Sequence, residues 1–158
     1  MRDERGSVVV TVVILLPLLL TIVSGIAELG ALRVLAARIS TAADLAALAA
    51  TDDQDAVALV ETGALRLAPD ASAVARDFFA RNLAALAPHL AVTPEAAAAA
   101  ADVAAFPTGP ALDPLTGWRY DRPTVRIAAS VPVRAPALGL FLVPATTAIS
   151  VRAASSPR

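Results

Sequence analysis

The sequence predicts an α+β protein built around one long N-terminal helix. Three observations lead there. An apolar run follows a short charged start, and a helical pattern of small apolar residues continues beyond it. Near the C-terminus, two stretches alternate apolar and polar residues with a period of two. The expected architecture is a transmembrane helix that continues into an alanine-rich stalk, packed with a second helix and a small antiparallel sheet.

The apolar run comes first. Residues 2–5 are all charged, and from Ser7 to Ala27 no formal charge occurs. About 20 apolar residues in a helix cross a ~30 Å hydrocarbon layer. Each Val, Ile and Leu at mid-span favours insertion by roughly 0.3–0.6 kcal/mol. Pro17 removes one backbone donor, a defect that membrane helices tolerate. This gives a short tail at residues 1–6 and a span at 7–27. Arginine counting leaves orientation open, because Arg2 and Arg5 on one side balance Arg33 and Arg38 on the other. Gly25 and Ala27 also make a small-x-small signal before Glu28, so cleavage near Ala27 is the competing reading.

Beyond Glu28, apolar residues recur in steps of three and four. The face carrying Ala36, Ile39, Ala43, Ala46 and Ala50 is expected to form a helix-packing interface, since alanine lets a neighbouring helix or sheet approach closely. The stalk covers residues 28–51, and "TDDQD" ends it as a solvated acidic turn. No glycine or bidentate glutamate follows with the spacing of a calcium loop. Residues 52–158 then form a small α+β domain. Within it "APDASAVARDFFARNLAALAPHL" predicts a helix capped by Asp70 or Ser72 and closed by Pro88, with Phe78, Phe79, Leu83 and Leu86 on its buried side. The alanine run at 96–101 fits helix by composition and strand by its place in the chain.

A Pro/Gly-rich loop occupies 106–123. Trp118, Arg119 and Tyr120 in it read either as a partner contact or as cover for a core poor in aromatics. Two strands follow. Val125, Ile127, Ala129, Val131 and Val133 face one way in the first; Thr147, Ile149, Val151 and Ala153 do so in the second. They are expected to pair antiparallel through the apolar connector "RAPALGLFLVPA". Its Leu138, Leu140 and Phe141 are the candidate outer contact, with exposed patch and ordinary core both open for this segment.

Composition bounds the chemistry. The chain has 158 residues, a formal net charge of -1, 57% apolar residues and no cysteine. No basic stripe suggests nucleic acid, and no thiolate metal site can form. His89 is the single histidine, and no nucleophile elbow, phosphate-binding loop or metal-ligand spacing accompanies it. Asp102, Asp113 and Asp121 sit in or beside loop signals. The expectation is no enzyme, no metal and no cofactor.

The start "ERGS", the mid-span "LLPLLL", the continuing "ARISTAADLAALAAT" and the closing "SVPV", "PALGLFLVP" and final strand resemble TadE/TadG-like proteins of tight-adherence (Flp) pilus assembly. The resemblance implies a pilin-like outline and a single-pass inner-membrane protein with its N-terminus cytoplasmic and its domain exported. It further implies a role as an assembly or minor pilin-like component, in contact with the bilayer and with other pilus-assembly proteins, pilin-like subunits or further copies of itself. Some relatives are pseudopilins trimmed after a glycine, with a glutamate five residues on. Here that junction would be Gly6–Ser7, but Thr11 stands at the glutamate position. Thr11 cannot supply the intramembrane carboxylate that sets register in a filament. A retained anchor is therefore favoured over a processed pseudopilin, and over a secreted binding protein or enzyme.

Overall fold

The computed structural model describes the backbone of residues 4–141 and 144–157, and the side chains of 11–139 and 144–157. The fold is α+β: a long apolar helix, shorter helices and a small antiparallel sheet.

The first helix, α1 (Glu4–Asp52), is continuous through Pro17. Pro17 has no amide proton to donate to the preceding turn, while its own carbonyl accepts a bond from the Thr21 hydroxyl at 2.8 Å. At 1.5 Å per residue the helix is about 73 Å long. From Thr11 onward it contains a stretch long and apolar enough to cross a membrane. Residues 12–20 are exposed throughout. From Leu35 to Thr51 the character changes, and one face is fully covered. In that part, the segment expected as a stalk is the spine of the domain itself.

Four local devices organise the middle of the chain. Asp55 caps α2 (Ala56–Thr62) by accepting from Val57 N–H at 3.1 Å and Ala58 N–H at 3.0 Å. Gly63 ends that helix in the left-handed region, φ +66°, and its N–H donates to the Leu59 carbonyl. Helix α3 (Ala71–Ala84) has Asp70 at its cap position without a side-chain bond, and the 3-10 turn Ala87–His89 follows it. Helix α4 (Pro94–Ala99) is capped by Thr93, with Pro94 opening the first turn. The alanine run is thus helix through Ala99, and the strand begins only at Asp102.

The sheet has the order β1-β4-β5, all antiparallel, with β1 (Asp102–Phe106), β4 (Thr124–Arg134) and β5 (Thr146–Ser155). The β4–β5 pairing runs without a bulge from Val125↔Ser155 to Arg134↔Thr146. β2 (Ala111–Leu112) and β3 (Arg119–Tyr120) form a separate two-stranded hairpin inside the Pro/Gly-rich loop.

The core lies between one face of this sheet and the helices α1 and α3. Ile39, Ala43, Ala46 and Ala50 of α1 meet Phe79 and Leu83 of α3 and Val125, Ile127, Val131 and Val133 of β4, all fully buried. Phe78, expected inside, is 38% exposed, with Arg81 over its ring at 5.8 Å. Adjacent helical residues point about 100° apart, so only one of the two phenylalanines can join the Ala71–Ala75–Phe79–Leu83 stripe.

Candidate interaction surfaces

The fold sets out two ends. Thr51 near the end of α1 hydrogen-bonds Ser155 at 3.1 Å. At the other end of the strands Arg134 and Pro136 share a cleft with Glu28, Leu32, Leu35 and Arg38 of α1. The strands β4 and β5 therefore lie along the second half of α1. Arg134, Thr146 and the connector are near the apolar span, and Thr124 and Ser155 are far from it.

At the far end, α2 has no buried residue, and Val60 is 86% exposed. Val57 and Leu59 are exposed beside it. Backbone bonds tie this segment to the tip of the fold: Asp55 N–H to the Arg66 carbonyl, and Leu67 N–H to the Pro107 carbonyl. The β2–β3 hairpin follows Pro107 and presents Leu112, Leu115 and Trp118, the last 70% exposed. The aromatic pair of the sequence divides here. Tyr120 packs on Phe106, with ring centroids 5.3 Å apart, while Trp118 faces solvent.

A buried charge cluster holds the hairpin in place. β4 alternation points Arg126 away from the helices, yet it is covered. Its Nε lies 3.0 Å from Asp113 Oδ2, and its Nη2 donates to Asp102 Oδ2 at 3.1 Å. Asp113 is 0% exposed, and it also accepts from Leu115 N–H at 3.0 Å and from the Thr116 hydroxyl at 2.7 Å. Its backbone N–H donates to the Trp118 carbonyl, and its carbonyl accepts from Gly117 N–H, each at 2.8 Å. Gly117 takes φ +72°, which closes the turn. Burial alone would push the Asp113 carboxyl up. The bonds from Thr116 and Leu115 and the Arg126 charge outweigh it and hold the carboxyl below its usual value. Asp121, the third loop carboxylate, is exposed 3.9 Å from Arg119. Asp102 and Asp113 thus share Arg126 in a structural cluster, and Asp121 stands apart with Arg119.

The sequence-expected site residues fall as follows. Ile39, Ala43, Ala46 and Ala50 are fully buried and Ala36 half-buried, and the face they form is covered by this chain's own α3 and sheet. It is therefore not free for a second protein. The connector forms a 3-10 segment, Pro136–Phe141, with Leu138 half-buried; the side chains of Leu140 and Phe141 lie outside the described residues. It lies at the end of the domain nearer the apolar stretch of α1. Gly6 falls in the first turns of α1, and the Ser7 side chain is outside the described residues. His89 is exposed at the rim of the Glu28–Arg38 cleft.

Residues 6–68 match the profile of a family described as "Putative Flp pilus-assembly TadE/G-like". Over that stretch the chain is similar to this family. The matched stretch takes in most of α1, all of α2 and Leu67, and stops before α3 and the sheet. No curated protein and no solved structure matches the chain.

Proposed function

We propose that this protein is a TadE/G-like, membrane-anchored component of a Flp/Tad pilus system, acting by protein-protein contact through the far tip of its domain and not by catalysis. α1 holds the chain in the inner membrane with the N-terminus in the cytoplasm. The domain then stands on the exported side, with α2 and the β2–β3 hairpin about 35 Å beyond the end of the span at 1.5 Å per residue.

The observation that carries this reading is the state of the tip. Val57, Val60, Leu112 and Trp118 are exposed on elements tied down by an Asp55 cap and a buried Arg126–Asp113 pair. Large apolar side chains held rigidly in water are what binding surfaces present. The alternating face of the sheet offers mostly alanine, serine and threonine, a poorer anchor.

A photo-crosslinking residue at Val60 or Trp118, in cells that make the pilus, tests it. Adducts with a pilus-assembly protein or a second copy are expected from these positions and not from Ser150 on the outer sheet face. Equal adducts from all three sites, or none from the tip, would overturn the assignment. The mass of the mature chain tests the anchor. An intact start supports it, loss through Gly6 would indicate a processed pseudopilin, and loss through Ala27 a secreted protein.

A further inference from the structure

We infer that the membrane-side end of the domain rests on the lipid headgroup layer, with Arg38 and Arg134 binding lipid phosphates. This rests on the anchor reading above and adds a second contact with the same bilayer.

Four observations converge on it. First, the cleft between α1, the Ala87–His89 turn and the Pro136–Phe141 segment is amphipathic, with Leu32, Leu35 and Pro136 on its walls and Arg38 and Arg134 at its edge. Second, both arginines are exposed and neither has a carboxylate partner among the described residues, nor has Arg33 on the same stretch of α1. Arginine matches phosphate with a planar fork of donors, so an unpaired cluster of them is a ready phosphate contact.

The third observation is distance. Arg38 lies eleven residues past Ala27, about 16 Å along the helix. Helical side chains lean toward the N-terminus, which here is the membrane side, so the long Arg38 side chain returns several ångströms of that. The headgroup layer extends about 5–8 Å beyond the hydrocarbon on each side. Val34 in the cleft and Leu29 beside it, both exposed on α1, add apolar surface to the interval.

The fourth is charge polarity. At the membrane side, Arg33, Arg38 and Arg134 stand against the carboxylate of Glu28, which also lines the cleft. At the far tip, Asp52, Asp53, Asp55, Glu61 and Asp121 stand against Arg66, Arg119 and Arg122. An anionic bilayer attracts the first end and repels the second, each basic residue near the surface adding to the attraction.

The chain has no cysteine, so a single one can carry an environment-sensitive fluorophore. Gly139 suits it, because a side chain there meets nothing within 4 Å. The full chain, labelled at Gly139→Cys or at Thr108→Cys on the far tip, is reconstituted in phosphatidylcholine vesicles with a headgroup-attached quencher, with and without phosphatidylglycerol. Strong quenching is expected at 139 and little at 108. Phosphatidylglycerol should raise the first, and Arg38→Gln with Arg134→Gln should abolish that rise.

Equal quenching at both sites with the protein firmly in the vesicles would overturn the inference and leave the anchor standing. A rise that survives the double substitution would overturn the role of the arginines. Failure to enter vesicles at all would bring down the anchor reading and this inference together.

Discussion

Replacing Arg126 by methionine tests whether a buried charge pair, more than the two-residue β2–β3 ladder, holds the tip hairpin on the sheet. Methionine keeps most of the aliphatic volume and removes the charge. Asp113 then stays covered with two donors, Leu115 N–H and the Thr116 hydroxyl, and no counter-charge. Breaking a buried pair from one side costs about 3–5 kcal/mol. The second carboxylate, Asp102, is 56% exposed, so its share is about 0–1 kcal/mol. Because Asp113 retains its two hydrogen bonds, the lower end of the range applies, about 3 kcal/mol. Adding Asp113→Asn removes the stranded charge and keeps an acceptor for Leu115, so the double variant should regain about 2 kcal/mol, a positive coupling. Urea unfolding in micelles, followed by far-ultraviolet circular dichroism, measures both. The single tryptophan, Trp118, reports the hairpin separately by fluorescence. A single-variant loss below about 1 kcal/mol, or a double variant as unstable as the sum of its parts, would refute the clamp.

Acid should act on the same pair. The Asp113 carboxyl is held below its unfolded value, so its contribution is fully present above the unfolded pKa of about 3.9 and fades as pH falls through the lower folded value. Stability measured between neutral pH and strong acid should fall below about pH 4, less steeply in Asp113→Asn. Ala43→Glu buries a carboxylate against α3 and the sheet, so it should unfold the domain while the span still inserts; a folded, monodisperse variant would contradict the packing. Gly109→Ala should disorder the hairpin, because a Cβ there would collide with the Asp121 carbonyl; proteolysis within 107–123 is the readout.

The elements legible in the sequence are those whose pattern is local. The uncharged run 7–27 and the alternation of β4 and β5 each state their environment residue by residue. Thr93–Pro94–Glu95 was equally local, a capping residue followed by proline at the first helical position, and it decides the alanine run as helix. The remaining features depend on contacts across the chain. α2 has no apolar periodicity to find, because it has no buried face. Strand alternation sends Arg126 outward, as it should, but the cover comes from a hairpin joined to the strand through Pro107–Pro123. The fragment "DPLTGW" carried the turn signal; that its aspartate closes on Arg126 follows only from the fold. The same holds for the alanine face of α1, whose small side chains announce close approach without saying by which element.

That alanine face also explains why the far end depends on polar ties. Ala43, Ala46, Ala47 and Ala50 are fully covered, yet each contributes less apolar area than a leucine would. Their gain is proximity, which lets α3 and β5 lie directly on the spine. A core thin in volume leaves its distal edge weakly held by apolar contact. There the chain uses Thr51 on Ser155, Thr124 on Ser156 at 2.8 Å, and Arg126 on Asp113. At the near edge the ties are backbone ones, Ala91 N–H to the Pro132 carbonyl and Ala135 N–H to the Ala145 carbonyl, and only about two helical turns, Glu28 to Val34, separate Ala27 from Leu35, where the covered face begins. With α1 unbroken through that interval, the domain cannot swing freely from its anchor. Under the proposed anchor, a continuous helix that is both span and core spine would fix the height of the exposed tip above the bilayer, as the proposed contact role needs.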